Sequence, residues 1–257
     1  MINCEKCRRK CRKIDEVKSQ ELSTILVQIM TVIISVQGNI GSGKSTLVAK
    51  LKEILGGTRR VCYMQEPVDE WATIKDSDGK TILELFYGDQ DAYAFQFQMM
   101  AYISRLAILK RALKDNYDVI IAERSLATDK HVFCQMLYDG KKINDVEFQI
   151  YNKWFDEFQT EFPVENIIYI QTDPEVAHER VGRRAREGEA IPLEYLVNCH
   201  DYHEKWIGSF SKSNVIILDG NQDIHKNPEV LNEWEHKINN FILSKTVMTN
   251  YASIGSH

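Results

Sequence analysis

The sequence predicts an α/β fold in which a five-stranded parallel sheet carries helices on both faces. Five short apolar runs, rich in β-branched residues, recur along the 257-residue chain and alternate with helical stretches. Apolar side chains on consecutive positions are typical of strands that are buried on both faces. The hydrophobic content of 44% and the charged content of 27% suit one large globular domain.

The predicted strands are short, and helical or polar segments separate them. They span residues 31–36 (TVIISV), 61–65 (VCYMQ), 118–122 (DVIIA), 166–171 (NIIYIQ) and 214–218 (NVIIL). The main predicted helices span residues 44–55, 92–113, 145–158 and 174–187. We therefore assign residues 30–245 to one domain and residues 246–257 to a loose C-terminal tail.

Residues 1–29 differ in composition from the rest of the chain. The first 13 residues carry six lysines and arginines against one acid, together with Cys4, Cys7 and Cys11. Three cysteines suggest zinc, but the fourth ligand of a metal finger is missing. We interpret the segment as a mobile basic extension and expect a cytoplasmic protein. The alternative is a mitochondrial targeting segment, which the four acids in this stretch disfavour.

Charge and hydropathy narrow the range of partners. The net charge of −5 gives no overall basic field, so we expect no nucleic-acid partner. No apolar run reaches the roughly 18 residues of a membrane span, so we expect no membrane partner. Local positive charge must therefore hold any small anionic substrate.

A phosphate-binding loop follows the first predicted strand. It reads Gly38-Asn39-Ile40-Gly41-Ser42-Gly43-Lys44-Ser45, with Thr46 next, and matches G-x-x-x-x-G-K-[ST] without a mismatch. Glycines let the backbone wrap closely round a phosphate, and the N-terminus of the following helix favours an anion. Lys44 is expected to reach the β- and γ-phosphates of ATP, and the Ser45 hydroxyl to bind Mg²⁺. The alternative, an incidental glycine-rich turn, is disfavoured by the strand and helix on either side.

Charged residues also follow the second and third predicted strands, where ligands of such sheets bind. Glu66 is a candidate general base, since a hydroxyl that attacks phosphorus must lose its proton. Glu123 is a candidate Mg²⁺ partner, and Arg124 is placed to neutralise charge on a transferred phosphoryl group. The alternatives are a solvated acid and ordinary ion pairs at strand ends.

Four arginines lie close together after the fourth predicted strand: Arg180, Arg183, Arg184 and Arg186. Helical spacing places Arg180 and Arg184 on one face. A run of charge is commonly a solvated helix face. Downstream of a phosphate loop, however, the pattern predicts a lid whose arginines close over ATP and stabilise charge in the transition state.

The chain resembles the deoxynucleoside kinase family over residues 33–244. Six ordered motifs carry the resemblance: GNIGSGKST (38–46), EPVDEW (66–71), FQFQMMAYISR (95–105), ERSLATDKHVF (123–133), RRAR (183–186) and IPLEYLVNCHDYHEKW (191–206). The resemblance implies a P-loop kinase fold with an arginine-rich lid. It also implies an enzyme of nucleotide salvage that transfers the γ-phosphate of ATP to the 5′-hydroxyl of a deoxynucleoside.

The resemblance further implies roles for individual residues. Arg184 and Arg186 match lid arginines, with Arg180 behind them, and Asp223 falls near the loop that holds the adenine of ATP. In the acceptor pocket, Glu66 matches the catalytic base and Arg124 an arginine beside it. Trp71, Phe97 and Phe133 match the aromatic walls of the pocket, and Gln98 matches the glutamine that hydrogen-bonds the edge of the nucleobase. Tyr87 and Glu189 match the residues that contact the sugar. Because the lid is one residue shorter than the common pattern, Glu187 is the alternative to Glu189.

Arg105 and Asp129 match positions that the resemblance links to base preference. Thymidine-accepting members typically carry small or apolar residues there, which leave room for the thymine methyl group. An Arg–Asp pair would crowd that space, so we expect purine deoxynucleosides or deoxycytidine to be preferred over thymidine.

Two other functions stay open. A nucleoside monophosphate kinase of the thymidylate type would need arginines to grip an acceptor phosphate, which EPVDEW and ERS fit less well. A P-loop protein whose nucleotide switches partner binding would use the basic N-terminus as its interaction arm. The resemblance also implies a homodimer, and residues 92–113 and 145–158 are candidates for its helical surface.

Overall fold

A computed structural model describes residues 31–55, 60–159, 162, 166–186, 189–224 and 226–254, with side chains of the last helix to residue 246. The predicted extension at residues 1–29, with Cys4, Cys7 and Cys11, lies outside the described residues, as does Glu187.

The five predicted strands form one sheet. They are β1 (Val32–Gln37), β2 (Val61–Met64), β3 (Val119–Glu123), β4 (Asn166–Gln171) and β5 (Val215–Asp219). Their order across the sheet is β2-β3-β1-β4-β5, and every pairing is parallel. The strand order reverses at the central strand β1, where open parallel sheets form their ligand crevice. The predicted α/β fold with a five-stranded parallel sheet is thereby confirmed.

Helices cover both faces of the sheet. They are α1 (Lys44–Leu55), α2 (Val68–Trp71), α3 (Ile82–Gly88), α4 (Gln90–Lys114), α5 (Leu126–Thr128), α6 (Gln135–Asp139), α7 (Asp145–Gln159), α8 (Pro174–Arg184), α9 (Leu193–Ile207) and α10 (Pro228–Ile254). A π-helix (Asp129–Cys134) continues α5, and a short 3₁₀ turn (Lys212–Asn214) precedes β5.

Successive side chains of the strands point to opposite faces of the sheet and pack into two separate hydrophobic cores. On one face, Ile34 and Val36 pack with Leu47 of α1 and Trp234 of α10. On the other face, Ile33 belongs to a larger cluster with residues of α3, α4 and α7. Because both faces are covered, the strands read as continuous apolar runs, and the polar residues at their ends are left to form the site.

Three strands end one residue later than predicted. β1, β3 and β5 end on Gln37, Glu123 and Asp219, because parallel pairing continues one residue past the apolar run, as in the pairing of Val36 with Glu123. In these three strands, the polar residue that follows the apolar run therefore still belongs to the strand.

Two helices also differ from expectation. The predicted helix 174–187 ends at Arg184, because Ala185 adopts a left-handed conformation with φ 45°. Arg186 therefore lies outside α8. The last helix continues to Ile254, through most of the segment predicted as a loose tail, which contains no proline or glycine before Gly255.

No described helix has both the length and the apolar character needed to cross a bilayer. Among the described cysteines, Cys134 and Cys199 are buried and Cys62 is half-buried, and all three are free thiols.

Candidate active site

The phosphate loop lies between the end of β1 and the start of α1, at the centre of the sheet. Gly38, Gly41 and Gly43 have φ angles of 146°, 83° and 97°, a region that residues with a Cβ atom rarely adopt. A Cβ atom on Gly41 would lie 2.4 Å from the carbonyl oxygen of Ala177 in α8. The glycines thus permit both the wrapped backbone and its close contact with α8.

Asn39 and Lys44 fix the interior of this loop. The Asn39 amide nitrogen donates to the carbonyl of Leu196 (2.8 Å), and its amide oxygen accepts from the N–H of Ile40 (2.8 Å). The Lys44 ammonium donates to the carbonyl of Asn39 (2.7 Å). Burial, with the positive charge of Arg124 nearby, lowers the pKa of Lys44 to about 7. A bound polyphosphate would favour the charged ammonium again.

Ser45 and Glu123 offer oxygen ligands beside the loop. The Ser45 hydroxyl donates to Oε1 of Glu123 at 2.8 Å. Mg²⁺ prefers such hard oxygen ligands and usually keeps several waters and substrate phosphates in its shell. Among the described residues, no three or more His, Cys, Asp or Glu side chains are grouped so that they could hold a metal ion. The Ser45–Glu123 pair therefore fits Mg²⁺.

A buried network of two arginines and two carboxylates lies across the cavity from the loop. Arg105 donates through Nε to Asp129 (2.8 Å), through Nη1 to the carbonyl of Glu123 (2.6 Å) and through Nη2 to Glu66 (3.0 Å). Arg124 donates through Nη1 to the same Oε1 atom of Glu66 (2.6 Å). Glu66 thus receives two guanidinium groups on one oxygen.

The charges of this network set the protonation of Glu66. Burial opposes ionisation, but Arg124, Arg105 and Lys44 outweigh it and lower the pKa of Glu66 to about 2. Burial raises the pKa of Asp129, while its contact with Arg105 acts in the opposite direction. Glu66 is therefore a carboxylate at neutral pH, able to accept a hydrogen bond from a hydroxyl but weak as a base.

The backbone of Arg124 is strained, and neighbouring side chains hold it in place. Its φ of 61° lies in the left-handed region, where residues other than glycine are uncommon. Ser125 and Thr128 cap the turn that follows. Gln37, at the end of β1, donates to Ser125 (3.2 Å) and accepts from Thr128 (2.7 Å). Such strain persists where the surroundings over-determine a geometry, as at functional sites.

An aromatic wall extends from this network. The Trp71 indole N–H donates to Ser104 (2.9 Å), and its ring meets Phe97 edge-on at 5.4 Å. Phe97 in turn stacks on Phe86 with centroids 4.6 Å apart. Phe133 lines the same cavity, with the Arg124 guanidinium 4.9 Å from its ring centre. These contacts fix flat apolar surfaces of the kind on which a nucleobase packs.

Gln98 and Arg124 each present a polar atom that lacks a partner within the described residues. Gln98 is 2% exposed and lines the cavity, and its Oε1 accepts no hydrogen bond. Nε of Arg124 is also buried and unpaired. An unsatisfied buried polar group costs about 1–3 kcal/mol. Both atoms are therefore suited to a polar ligand.

The lid arginines contact Glu189. Arg184 and Arg186 both donate to its carboxylate, the second at 3.4 Å. Burial and the charge of Glu189 raise the pKa of Tyr87, so its hydroxyl stays protonated. Glu189 thus lies between the lid and the predicted sugar contact.

Arg180 has different partners from the other lid arginines. It donates to the carbonyls of Gly220 (2.7 Å), Asn221 (3.5 Å) and Gln222 (3.4 Å). These residues begin the loop that follows β5, where Asp223 and Ile224 also line the cavity.

One cavity of about 710 Å³ joins these parts. Of the predicted site residues, all but Gly38, Asn39 and Arg105 line it, and these three are buried against residues that do. Sequence reasoning missed Gln37, Ser104, Phe86 and Tyr195. The Ser125-x-x-Thr128 spacing indicates the capped turn itself. Gln37 and the other three residues act through tertiary contacts that leave no local pattern.

The chain is similar in sequence to known proteins. The deoxynucleoside kinase family profile matches residues 34–243. A probable deoxycytidine kinase of fowlpox virus (strain NVSL) is 36% identical over 196 residues, 74% of this chain and 78% of that protein. Deoxycytidine kinase of Homo sapiens is 34% identical over 228 residues, 78% of this chain and 88% of its own. Mitochondrial deoxyguanosine kinase of Xenopus laevis is 29% identical over 238 residues, 81% and 89% of the two chains.

Proposed function

This chain belongs to the deoxynucleoside kinase family, and we propose that it phosphorylates the 5′-hydroxyl of purine deoxynucleosides or deoxycytidine in preference to thymidine. Membership confirms the predicted P-loop kinase fold and an ATP-dependent phosphotransferase of nucleotide salvage. The observation that carries the proposal is a single cavity in which the phosphate loop faces Glu66, Arg124 and Gln98.

The proposed mechanism assigns each half of the cavity one substrate. The phosphate loop holds the β- and γ-phosphates of ATP, with Lys44 as their counter-charge. Ser45 and Glu123 are the residues that would hold Mg²⁺, which when bound neutralises phosphate charge. Glu66 accepts the hydrogen bond of the attacking 5′-hydroxyl and takes its proton. The unpaired Nε of Arg124 is suited to donate to the same hydroxyl oxygen.

The weak basicity of Glu66 is compatible with this chemistry. Phosphoryl transfer through a loose transition state needs little removal of the proton before the bond to phosphorus forms. Orientation of the hydroxyl by a fixed carboxylate then matters more than base strength. Arg184 and Arg186, released from Glu189, would stabilise charge on the transferred group.

Preference among bases rests on Gln98, Arg105 and Asp129. Gln98 offers one donor and one acceptor to a base edge, which suits cytosine or a purine. Arg105 and Asp129 are fixed to each other and nearly inaccessible, at 4% and 3% exposure. They leave a rigid polar wall where a thymine methyl group would need apolar space.

The charge balance of the acceptor side disfavours a monophosphate acceptor. The two buried arginines of the network, Arg105 and Arg124, are matched by the carboxylates of Glu66 and Asp129. A neutral nucleoside preserves this balance, whereas an acceptor phosphate would add negative charge beside Glu66. The open acceptor cavity likewise disfavours a protein whose nucleotide acts only as a switch.

A side-by-side assay tests the proposal. The four natural deoxynucleosides and deoxycytidine monophosphate are each offered with ATP and Mg²⁺, and kcat/KM is measured for each. We expect turnover of deoxycytidine or a purine deoxynucleoside, at least about tenfold less for thymidine, and none for the monophosphate. Comparable kcat/KM for thymidine would overturn the proposed preference, and turnover of the monophosphate would overturn the acceptor class.

We also propose a homodimer formed through α4 and α7. Val146, Ile150 and Trp154 recur on one face of α7 and are 65%, 41% and 46% exposed, and Ile103 of α4 is 42% exposed. The carbonyl of Trp154 accepts a hydrogen bond from Tyr102 of α4, so the two helices present these residues together.

Sedimentation measurements test the dimer. Trp154→Glu should give a monomer, while Ile217→Glu, at an exposed site on the edge strand β5, should leave the dimer intact. A wild-type monomer at micromolar concentration would refute the proposed dimer.

The cytoplasm remains our proposed location, and mitochondria are the alternative if residues 1–29 are a targeting segment. Imaging of a full-length fluorescent fusion decides between the two.

A further inference from the structure

Arg180 is bound to backbone rather than to side chains. Its guanidinium spans the carbonyls of three consecutive residues, 220 to 222, which directly follow β5. Arginine presents five donors on three nitrogens in a fixed plane, whereas the three donors of a lysine ammonium share one nitrogen, so the guanidinium is better matched to three carbonyls spread along the backbone. These donors are available to a phosphate only if the loop is released.

The loop that receives Arg180 is fixed at its other side by β4. The N–H of Gly220 donates to the carbonyl of Gln171 (2.6 Å), and the N–H of Asp173 donates to the side chain of Asn221 (2.9 Å). A Cβ atom on Gly220 would meet the hydroxyl of Thr172 at 2.0 Å. The loop is therefore held by the end of β4 on one side and by Arg180 of α8 on the other.

The same helix also packs against the phosphate loop and contributes arginines to the lid. Ala177 and Val181 lie close to Gly41, Arg180 holds residues 220–222, and Arg184 contacts Glu189. Helix α8 thus fixes the spacing between the phosphate loop and the loop after β5. Arg180 provides hydrogen bonds from this helix to the latter loop.

The position of the donor base follows from the layout of the cavity. Trp71, Phe97 and Gln98 occupy the side of the phosphate loop beyond β2 and β3. On the opposite side, beyond β4 and β5, the cavity is lined by Gln222, Asp223 and Ile224. If the acceptor binds on the side of Trp71, Phe97 and Gln98, the nucleoside end of ATP lies on the side of Gln222, Asp223 and Ile224.

We propose that Arg180 is a positioning residue for the donor nucleoside and not a ligand of its phosphates. It holds the loop 220–222 at the distance from the phosphate loop that lets ATP span both. This inference rests on the proposed function for the direction in which ATP lies. It separates Arg180 from Arg184 and Arg186, whose side chains contact a carboxylate at the cavity rather than backbone.

Direct binding measurements separate the two roles of Arg180. ATP and inorganic tripolyphosphate, each with Mg²⁺, compete with a fluorescent ATP analogue on wild type, Arg180→Ala and Arg180→Lys. We expect both variants to bind ATP about tenfold more weakly, since several hydrogen bonds are lost, with tripolyphosphate binding changed less than about twofold. Arg111→Ala, an exposed arginine of α4, should match wild type, and thermal unfolding checks that each variant is folded.

Three results would overturn the proposal. These are equal weakening of ATP and tripolyphosphate, recovery of ATP binding in Arg180→Lys, or no change in Arg180→Ala. Because these measurements need no acceptor, their outcome is independent of which deoxynucleoside is phosphorylated. Where turnover is observed, Arg180→Ala should raise KM for ATP about tenfold with kcat and KM for the deoxynucleoside within about twofold.

Discussion

The donor side and the acceptor side of the cavity are built in different ways. The donor side centres on one continuous backbone segment, residues 38–45, in which glycines shape the loop and Lys44 supplies the charge. The acceptor side is assembled from side chains of separate elements: Glu66 after β2, Arg105 on α4, Arg124 after β3 and Asp129 on the π-helix. Loss of one side chain should therefore act locally on the donor side and spread through the network on the acceptor side.

The largest expected effect is on the donor side, in Lys44→Met. This change keeps the apolar stem and removes the charge that faces the phosphates, so kcat/KM for ATP should fall about a thousandfold, with the free energy of unfolding little changed. Lys52→Met, at an exposed position of α1, is the matched control. A loss below tenfold in steady-state kinetics would mean that the loop backbone alone carries the phosphates.

On the acceptor side, the Arg105–Asp129 pair should be non-additive. Arg105→Gln or Asp129→Asn alone leaves a buried charge without its partner and should lower the free energy of unfolding by about 3 kcal/mol. The double variant should lose less than the sum of the two.

Chemical denaturation measures all three variants, with Arg111→Gln as the exposed control on α4. Additive losses would show that the two side chains act independently and that the acceptor side is no network. Arg105→Gln should also impair turnover more than Asp129→Asn, because Arg105 contacts Glu66 as well.

Glu66→Gln should lower kcat about a hundredfold, since it removes proton acceptance but keeps the shape of the side chain. A pKa of about 2 makes the carboxylate a weak base, which places the effect at the lower end for a general base. Single-turnover kinetics at saturating ATP isolates this step. Glu70→Gln, an exposed neighbour in the same motif, should be neutral, and a loss under tenfold in Glu66→Gln would remove Glu66 from the role of base.

The smallest predicted effect concerns His203, which is fully buried and meets the Phe133 ring edge-on. Burial lowers the pKa of His203 to about 3, against about 6.5 in an unfolded chain. As pH falls below 6.5, the unfolded state therefore takes up the proton first, and stability is lost progressively down to about pH 3. Between pH 6.5 and 5 this amounts to about 2 kcal/mol.

Denaturation of His203→Asn across the same pH range checks the effect. Its free energy of unfolding should fall less steeply than that of wild type, while His236→Asn, at an exposed site on α10, should follow wild type. Parallel curves for His203→Asn and wild type would mean that His203 is not the group that destabilises the fold in acid.

The contrast between the two sides also explains what the sequence could predict. The phosphate loop is local, so its residues, its strand and its helix follow from one short pattern. Glu66 and Glu123 were predicted as well, because the end of a parallel strand has a known place in the fold.

Tertiary contacts account for what was missed. The resemblance led us to expect Arg105 and Asp129 as a pair, but no local pattern reports that Arg105 also reaches Glu66. Nor does any report that Gln37 holds the turn after Arg124 from a neighbouring strand. The end of α8 at Arg184 depends on a left-handed alanine, a conformation with no compositional mark. The partners of Arg180 are backbone carbonyls, which every sequence contains and none can single out.

The guanidinium of Arg105 couples base preference to the rate of turnover, two properties that an enzyme could otherwise change separately. One edge holds Asp129, on the wall proposed to sort bases, and the other holds Glu66, at the proposed point of attack. Mutations that widen the substrate range at this position should therefore also slow turnover, and an evolving lineage would need a second change near Glu66 to recover its rate. Gln98, which is free of this network in the hydrogen bonds described, is the position at which an engineered library could alter base choice with the least penalty in rate.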